Sequence, residues 1–306
     1  MVDTVIRSVP YALVAFSLFC LYIIDKSNRN KDGYNSRRLL CVGYLILLFF
    51  IGLRGFVMTD FISYYPYFDM IDGINSIPDV ILFKGWEPGF VIYTYICKAI
   101  VPNYYAWNLI SCAIDLWILY VILNRYSCNH FLSLLVFFIV GGLPLEMNVL
   151  RNAKAIFIFL LSIRYIEERK FWHFLIMILI AMTFHVSAII YIPLYFFINK
   201  KWPKWVLVSI FVIGCLILFS HVSFLSQIAN NMPLTMDEES RGGYLISQHL
   251  SETNSYGLSL GTIERIITFI ILTIIYRKYI SHNDSDIIFY NLYYLSFFSI
   301  FQNLMP

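Results

Sequence analysis

The chain has 306 residues, 59% of them hydrophobic and only 13% charged, with a mean hydropathy of +0.71 and a net charge of +3. Soluble domains carry about 25% charged residues, so this composition excludes a soluble globular protein and points to an integral membrane protein. The small positive charge carries no nucleic-acid signal; in a membrane protein the placement of the basic residues sets orientation instead.

Apolar runs lie near 9–24, 39–53, 88–101, 105–123, 131–146, 149–166, 171–184, 186–198, 205–221, 260–276 and 287–305. Asp25-Lys26, and no small-residue cleavage site, follow the first run, which predicts a retained first helix. The linker 25–38 carries Lys26, Arg29, Lys31, Arg37 and Arg38. It is therefore expected inside the cell, with the amino terminus outside. In the next loop, 54–87, the acids Asp60, Asp69, Asp72, Asp79 and Glu87 outnumber Arg54 and Lys84, as an outer loop should. Further along, Arg164, Arg169 and Lys170 are expected inside, as are Lys200, Lys201 and Lys204, and Arg277 with Lys278. The turns near 144–151 and 184–187 and the loop 222–259 then face outside, and Asn124-Arg125 faces inside.

That parity holds only if one of the runs 88–101 and 105–123 does not cross. The run 88–101 is short, opens with Glu87-Pro88-Gly89 and carries Lys98. It is expected to be a re-entrant or interfacial outer helix beside about ten transmembrane helices. Half-spanning backbone is tolerated only where protein or a water-filled cavity covers it, and a cavity is what a site needs. The expected fold is an all-α polytopic membrane protein forming one integral domain, 1–306. Loops 54–87 and 222–259 form its site-bearing outer face, and the charge-free run 205–221 serves as scaffold.

Ionisable groups at membrane depth mark functional sites by default. On the outer side these are Arg54 and Asp60 at the end of the second run, Glu87, Arg151 and Lys154, His185, and Arg241 with Tyr244 in the large loop. Arg151 and Lys154 are three apart and share a helix face. Two cations at a helix N-terminus suit an anion such as a diphosphate. Plainer roles stand beside these. Arg54 can snorkel, Asp60 can cap the following helix, and Tyr64, Tyr65 and Tyr67 can form an aromatic belt or a stacking floor for sugars. There is no Walker-type loop, GxSxG, HExxH or His/Cys metal spacing, and no DxD pair in the outer loops. No metal and no cofactor is therefore expected. Cys20, Cys41, Cys97, Cys112 and Cys215 lie in apolar runs and Cys128 in a loop, without a CxxC pair, so they read as small hydrophobes.

Four stretches, in order, resemble the EpsG family, a branch of the Wzy-type bacterial polysaccharide polymerases. They are Leu53-Arg54-Gly55 through Thr59-Asp60 to Tyr64 and Phe68; Glu87-Pro88-Gly89-Phe90; Leu150-Arg151-Asn152 leading to Ala155; and Phe184-His185-Val186-Ser187 followed by Pro193. Arg241 with Tyr244 is a looser fifth. The resemblance covers 40–200 well and the rest loosely. The chain departs from the family pattern at Met58, Asn152 and Lys154, where a glycine, a glutamine and an apolar residue are expected.

The resemblance implies a fold like that of the C-class membrane glycosyltransferases. It also implies a reaction in which a glycan moves from undecaprenyl diphosphate to a lipid-linked repeat unit. Both partners are lipid-linked oligosaccharides, met at the outer face of the bacterial inner membrane. The product would be O-antigen, as in lipopolysaccharide, or capsule or exopolysaccharide, and a chain-length regulator is a compatible partner. Arg151, with Lys154 and Arg54, would hold the diphosphate, and Tyr64, Tyr65, Arg241 and Tyr244 would contact sugars. His185, Asp60 and Glu87 compete as the base. An imidazole titrates near neutrality, which favours His185; Asp60 would then orient the acceptor or Arg54. A ligase would share the donor chemistry and differ in its acceptor. A lipid-linked oligosaccharide flippase would show inverted repeats, which the sequence does not display.

Overall fold

In the computed structural model, the described residues are 2–31, 34–55, 57, 61–203, single positions between 205 and 274, and 286–292. Every regular element among them is helical. The chain divides into two compact units, Met1–Tyr195 and Phe196–Pro306.

The first unit contains α1 (Val2–Asn28), α2 (Arg37–Gly52), α3 (Phe61–Met70), α4 (Ile77–Leu82), α5 (Pro88–Ile100), α6 (Tyr104–Tyr126), α7 (His130–Phe137), α8 (Leu143–Asn148), α9 (Leu150–Glu167) and α10 (Phe171–Phe184). Among the described residues, three helical stretches, Ser8–Asn28, Tyr104–Tyr126 and His130–Asn148, are long and apolar enough to cross a membrane. The unit differs from a soluble domain in being apolar on its surface as well as in its core. Phe16, Trp117, Val140 and Trp172 are exposed, whereas Asp25, Arg54, Asp115, Glu146 and Lys154 are buried. Such a surface suits hydrocarbon, and charges buried within it pair with one another or with backbone carbonyls.

Helix ends gather at two poles. At one, Asn108 Nδ2 of α6 donates to Gly52 O at the end of α2, over 2.8 Å. A Cβ on Gly52 would lie 2.7 Å from Leu109 Cδ1 and 3.2 Å from Leu109 Cα, so the close approach of α2 to α6 depends on glycine. At the other pole Arg125 Nη2 donates to Glu167 Oε2 over 2.9 Å, and Tyr126 Oη donates to the same oxygen over 3.2 Å. These contacts join the C-terminal ends of α6 and α9, while Lys154 of α9 meets Ser111 and Asp115 of α6 further back. The two helices therefore run parallel.

Between α7 and α8 lies a π-turn, Phe138–Gly142. Pro144 follows it and has no N–H to continue the helical ladder, which accounts for the break. A second interruption at Val149 (φ −126°, ψ 52°) separates α8 from α9. α5 has 13 residues, a rise of about 20 Å, against the ~30 Å hydrocarbon core of a bilayer. Near its end, Lys98 Nζ donates to Phe68 O over 2.7 Å and sits 4.7 Å from the Phe68 ring centre, fastening α5 to the last turn of α3. Phe61, Tyr64, Tyr67, Phe68, Trp86, Phe90, Tyr104 and Trp107 form one aromatic core around α3 and α5.

The run expected at 186–198 is a 3-10 turn, Val186–Tyr191, followed by the short α11, Leu194–Phe197. Pro193 between them breaks the ladder. In the second unit, Asp286–Leu292 is helical, and Asn291 Nδ2 donates to Ile198 O and Lys200 O over 2.6 and 2.9 Å. The loop 222–259 lies outside the described residues, as do most of the runs 205–221, 260–276 and 287–305.

Candidate active site

The site begins with a turn. Gly85 has φ +67°, a left-handed conformation that costs glycine nothing. Trp86 and Glu87 follow, and Glu87 is the N-cap residue of α5, with Pro88 at the first helical position, where its fixed φ fits. The Glu87 side chain makes no capping bond. It turns instead toward two other helices.

Its Oε2 receives Arg151 Nη1, from the first turn of α9. Its Oε1 lies 2.9 Å from Nδ1 of His185, the extended residue that ends α10. The α5–α10 approach that permits this has no room for a side chain. A Cβ on Gly89 would stand 2.2 Å from Thr183 Oγ1 and 2.9 Å from Thr183 O. Glycine two residues after Glu87 therefore faces threonine two residues before His185.

The three side chains stay partly open, with relative exposures of 14% for Glu87, 16% for Arg151 and 27% for His185. Burial would push the Glu87 carboxyl up, but the His185 hydrogen bond and the Arg151 charge outweigh it and hold the group below its ordinary range. The Arg151 guanidinium stacks 4.6 Å from the Trp86 ring centre and has the Tyr64 hydroxyl within hydrogen-bonding reach. Trp86 stacks on Tyr67 at 3.9 Å. The Arg151 Nε is buried and finds no acceptor among the described residues. The arginine thus keeps a donor for an incoming anion. With Nδ1–H donating to the Glu87 carboxylate, His185 carries its lone pair on Nε2.

The structure brings together Glu87, Arg151, His185 and Tyr64, and places Lys154, Arg54 and Tyr65 elsewhere. Lys154 is buried; its Nζ donates to Asp115 and, over 3.0 Å, to Ser111 O. The three-residue spacing from Arg151 does set both side chains on one side of α9. A lysine buried one turn deeper, however, needs a counter-charge, and α6 supplies Asp115. Arg54 is also buried and donates through Nη1 to Glu146 O. Tyr65 is exposed and stacks on Phe61 at 5.6 Å. Asp60, Arg241 and Tyr244 lie outside the described residues. No group of three or more His, Cys, Asp or Glu placed to hold a metal occurs among the described residues.

Sequence reasoning passed over Trp86, the ring beneath the guanidinium, although it directly precedes Glu87. It also passed over Asp115 and Glu146, each a carboxylate inside an apolar run. That position is itself the signal by which they could have been found.

A family model described as the EpsG family matches residues 37–305. No curated protein and no solved structure matches the chain.

Proposed function

The chain belongs to the EpsG family, and from that membership we propose that it is a membrane glycosyltransferase of the polysaccharide-polymerase type. It transfers a glycan from undecaprenyl diphosphate to the end sugar of a second lipid-linked repeat unit, at the outer face of the bacterial inner membrane. The observation that carries this reading is the convergence of Glu87, Arg151 and His185 from three helices at a partly open position.

In the reaction the bond between the anomeric carbon and the diphosphate oxygen breaks, and the lipid diphosphate leaves with the electron pair. Arg151 stands as a fixed cation where that charge develops, and its planar fork and its Nε–H, which finds no acceptor among the described residues, suit phosphate oxygens. The acceptor hydroxyl forms the new glycosidic bond, and its proton passes to His185 Nε2. Glu87 fixes the tautomer of His185 through Nδ1 and stabilises the imidazolium that results. Glu87 also holds Arg151, so an arriving diphosphate exchanges for this carboxylate on the guanidinium. The exposed Tyr65 ring offers a stacking face for a sugar, while the buried Trp86 ring backs the guanidinium. The fixed cation takes the part a divalent metal plays at other diphosphate leaving groups, so transfer proceeds without one.

The outward placement rests on the basic linkers. The starts and ends of α2, α5, α6, α9 and α10 cluster on one side, which keeps the site to a single face, and the length of α5 suits a half-spanning helix. The test is a gel of surface polysaccharide from a deletion strain. Collapse of the ladder to a single repeat unit, restored by the wild-type gene, supports a polymerase. Loss of even the single capped unit contradicts it and points to a flippase or ligase.

A further inference from the structure

Arg54 has no part in the reaction steps described above. It follows the end of α2 and turns inward, being only 8% exposed, so a diphosphate has no open path to it. Its Nη1 donates instead to the main-chain oxygen of Glu146, 92 residues along the chain. That oxygen lies in the last turn of α8, at the end of the helical stretch His130–Asn148.

The last carbonyls of a helix have no partner within it. Arg54 takes one of them, and a cation there also meets the negative end of the helix dipole. The other end of this tie is fixed as well. Gly52 O, two residues before Arg54, accepts Asn108 Nδ2 of α6, and Gly52 packs on Leu109 with no room for a Cβ. Arg54 therefore fastens the end of α8 to the α2–α6 contact. Downstream, Val149 breaks the helix (φ −126°, ψ 52°), and Arg151 follows two residues later in the first turn of α9. Met147 is buried in the core of α1, α2, α6 and α7, and Leu150 in the aromatic core around α3 and α5. With the Glu146 carbonyl held and both of these side chains seated, the main chain leading to Arg151 has little freedom.

We propose that Arg54 is a positioning residue: by holding the Glu146 carbonyl it sets the break between α8 and α9, and through that break it places the Arg151 guanidinium over Trp86 and beside Glu87. This inference rests on the transfer reaction proposed above. A guanidinium suits the task because it stays charged and carries its donors in a rigid plane, so the bond fixes direction as well as distance. Arg54 acts on the diphosphate only through Arg151.

The test is a double-replacement cycle, read as single-turnover transfer by the purified full chain in lipid nanodiscs with undecaprenyl-diphosphate-linked repeat units. Arg54→Gln ends short of the carbonyl and should slow transfer by roughly 10- to 100-fold, the loss that a small misplacement of a catalytic group produces. In the Arg151→Ala background the same replacement should cost less than about two-fold, because the residue it acts through is gone. Equal losses in both backgrounds overturn the inference, since Arg54 then touches the diphosphate itself or serves folding alone. A wild-type rate in Arg54→Gln overturns it too. Hydrogen exchange gives a readout apart from activity: Arg54→Gln should speed exchange of the amides of 149–153 and leave those of α10 unchanged, and no change at 149–153 overturns the tie. Should Arg54→Gln fail to fold, Arg54→Lys carries the same measurements, keeping the charge on a donor without the rigid fork, with a smaller loss expected and no loss contradicting. A wild-type rate in Arg151→Ala overturns the proposed function and this inference with it, whereas a slow Arg151→Ala with equal losses overturns this inference alone.

Discussion

Glu87 touches both groups that the proposed chemistry needs, and its titration is therefore visible in the protein's stability. Its folded-state pKa lies below the ordinary 4.5. The stabilisation from the His185 and Arg151 contacts is thus fully present above about pH 4.5 and is lost as the pH falls through the depressed value. Melting of the purified protein between pH 6 and pH 3 (about) should show an acid loss in the wild type that is shallower in Glu87→Gln; equal slopes contradict the assignment. At this scale much of the site was legible. Arg151, Glu87 and His185 stand out as charged or titratable residues bordering apolar runs, on the side that charge parity marks as outer. What spacing could not supply was the division of labour between Arg151 and Lys154. A helical repeat fixes which side chains share a face, but the counter-charge that draws Lys154 inward comes from α6, far away in sequence.

At the scale of elements, the site depends on how closely helices meet. Gly89 lies against Thr183 with no space for a Cβ, so Gly89→Val should push α5 off α10 and separate Glu87 from His185. Transfer should fall by ~100-fold or more, the usual contribution of a positioned general base, while the chain still inserts. Activity near wild type would show that the α5–α10 contact does not position the dyad. Asp115 tests the interior in a different way. Asp115→Ala leaves the Lys154 ammonium buried without its carboxylate, at a cost of about 3–5 kcal/mol. The double change Asp115→Leu with Lys154→Met should recover most of that in denaturant unfolding. If the single change costs less than 1 kcal/mol (about), the ion pair is not buried as described. The helices themselves were mostly readable from apolar runs: α5, α6, α9 and α10 lie within a few residues of the expected limits. The turn at Val186–Tyr191 was not, because an apolar run has the same composition in α and 3-10 geometry and Pro193 was read only as part of a motif.

For the whole molecule, the proposed orientation follows from basic residues alone. Reporter fusions after Lys31 and after Glu167 should read as cytoplasmic, and fusions after Asp72 as external; the reverse pattern would move the site to the wrong side for the proposed substrates. Composition declared a membrane protein, because no soluble core accommodates so few charges on so apolar a chain. The packing of the polar residues at the site could not be read in the same way, since these pairs join segments far apart in sequence, as Glu87 joins Arg151 and His185. The central claim is that Arg151 stabilises the departing lipid diphosphate. The direct measurement is single-turnover transfer by purified protein supplied with undecaprenyl-diphosphate-linked repeat units, comparing wild type, Arg151→Lys and Arg151→Ala. The account predicts that Arg151→Ala folds and binds donor yet loses ~100-fold or more in rate, about 3 kcal/mol of barrier, with Arg151→Lys between the two. A rate in Arg151→Ala within a few-fold of wild type would contradict it.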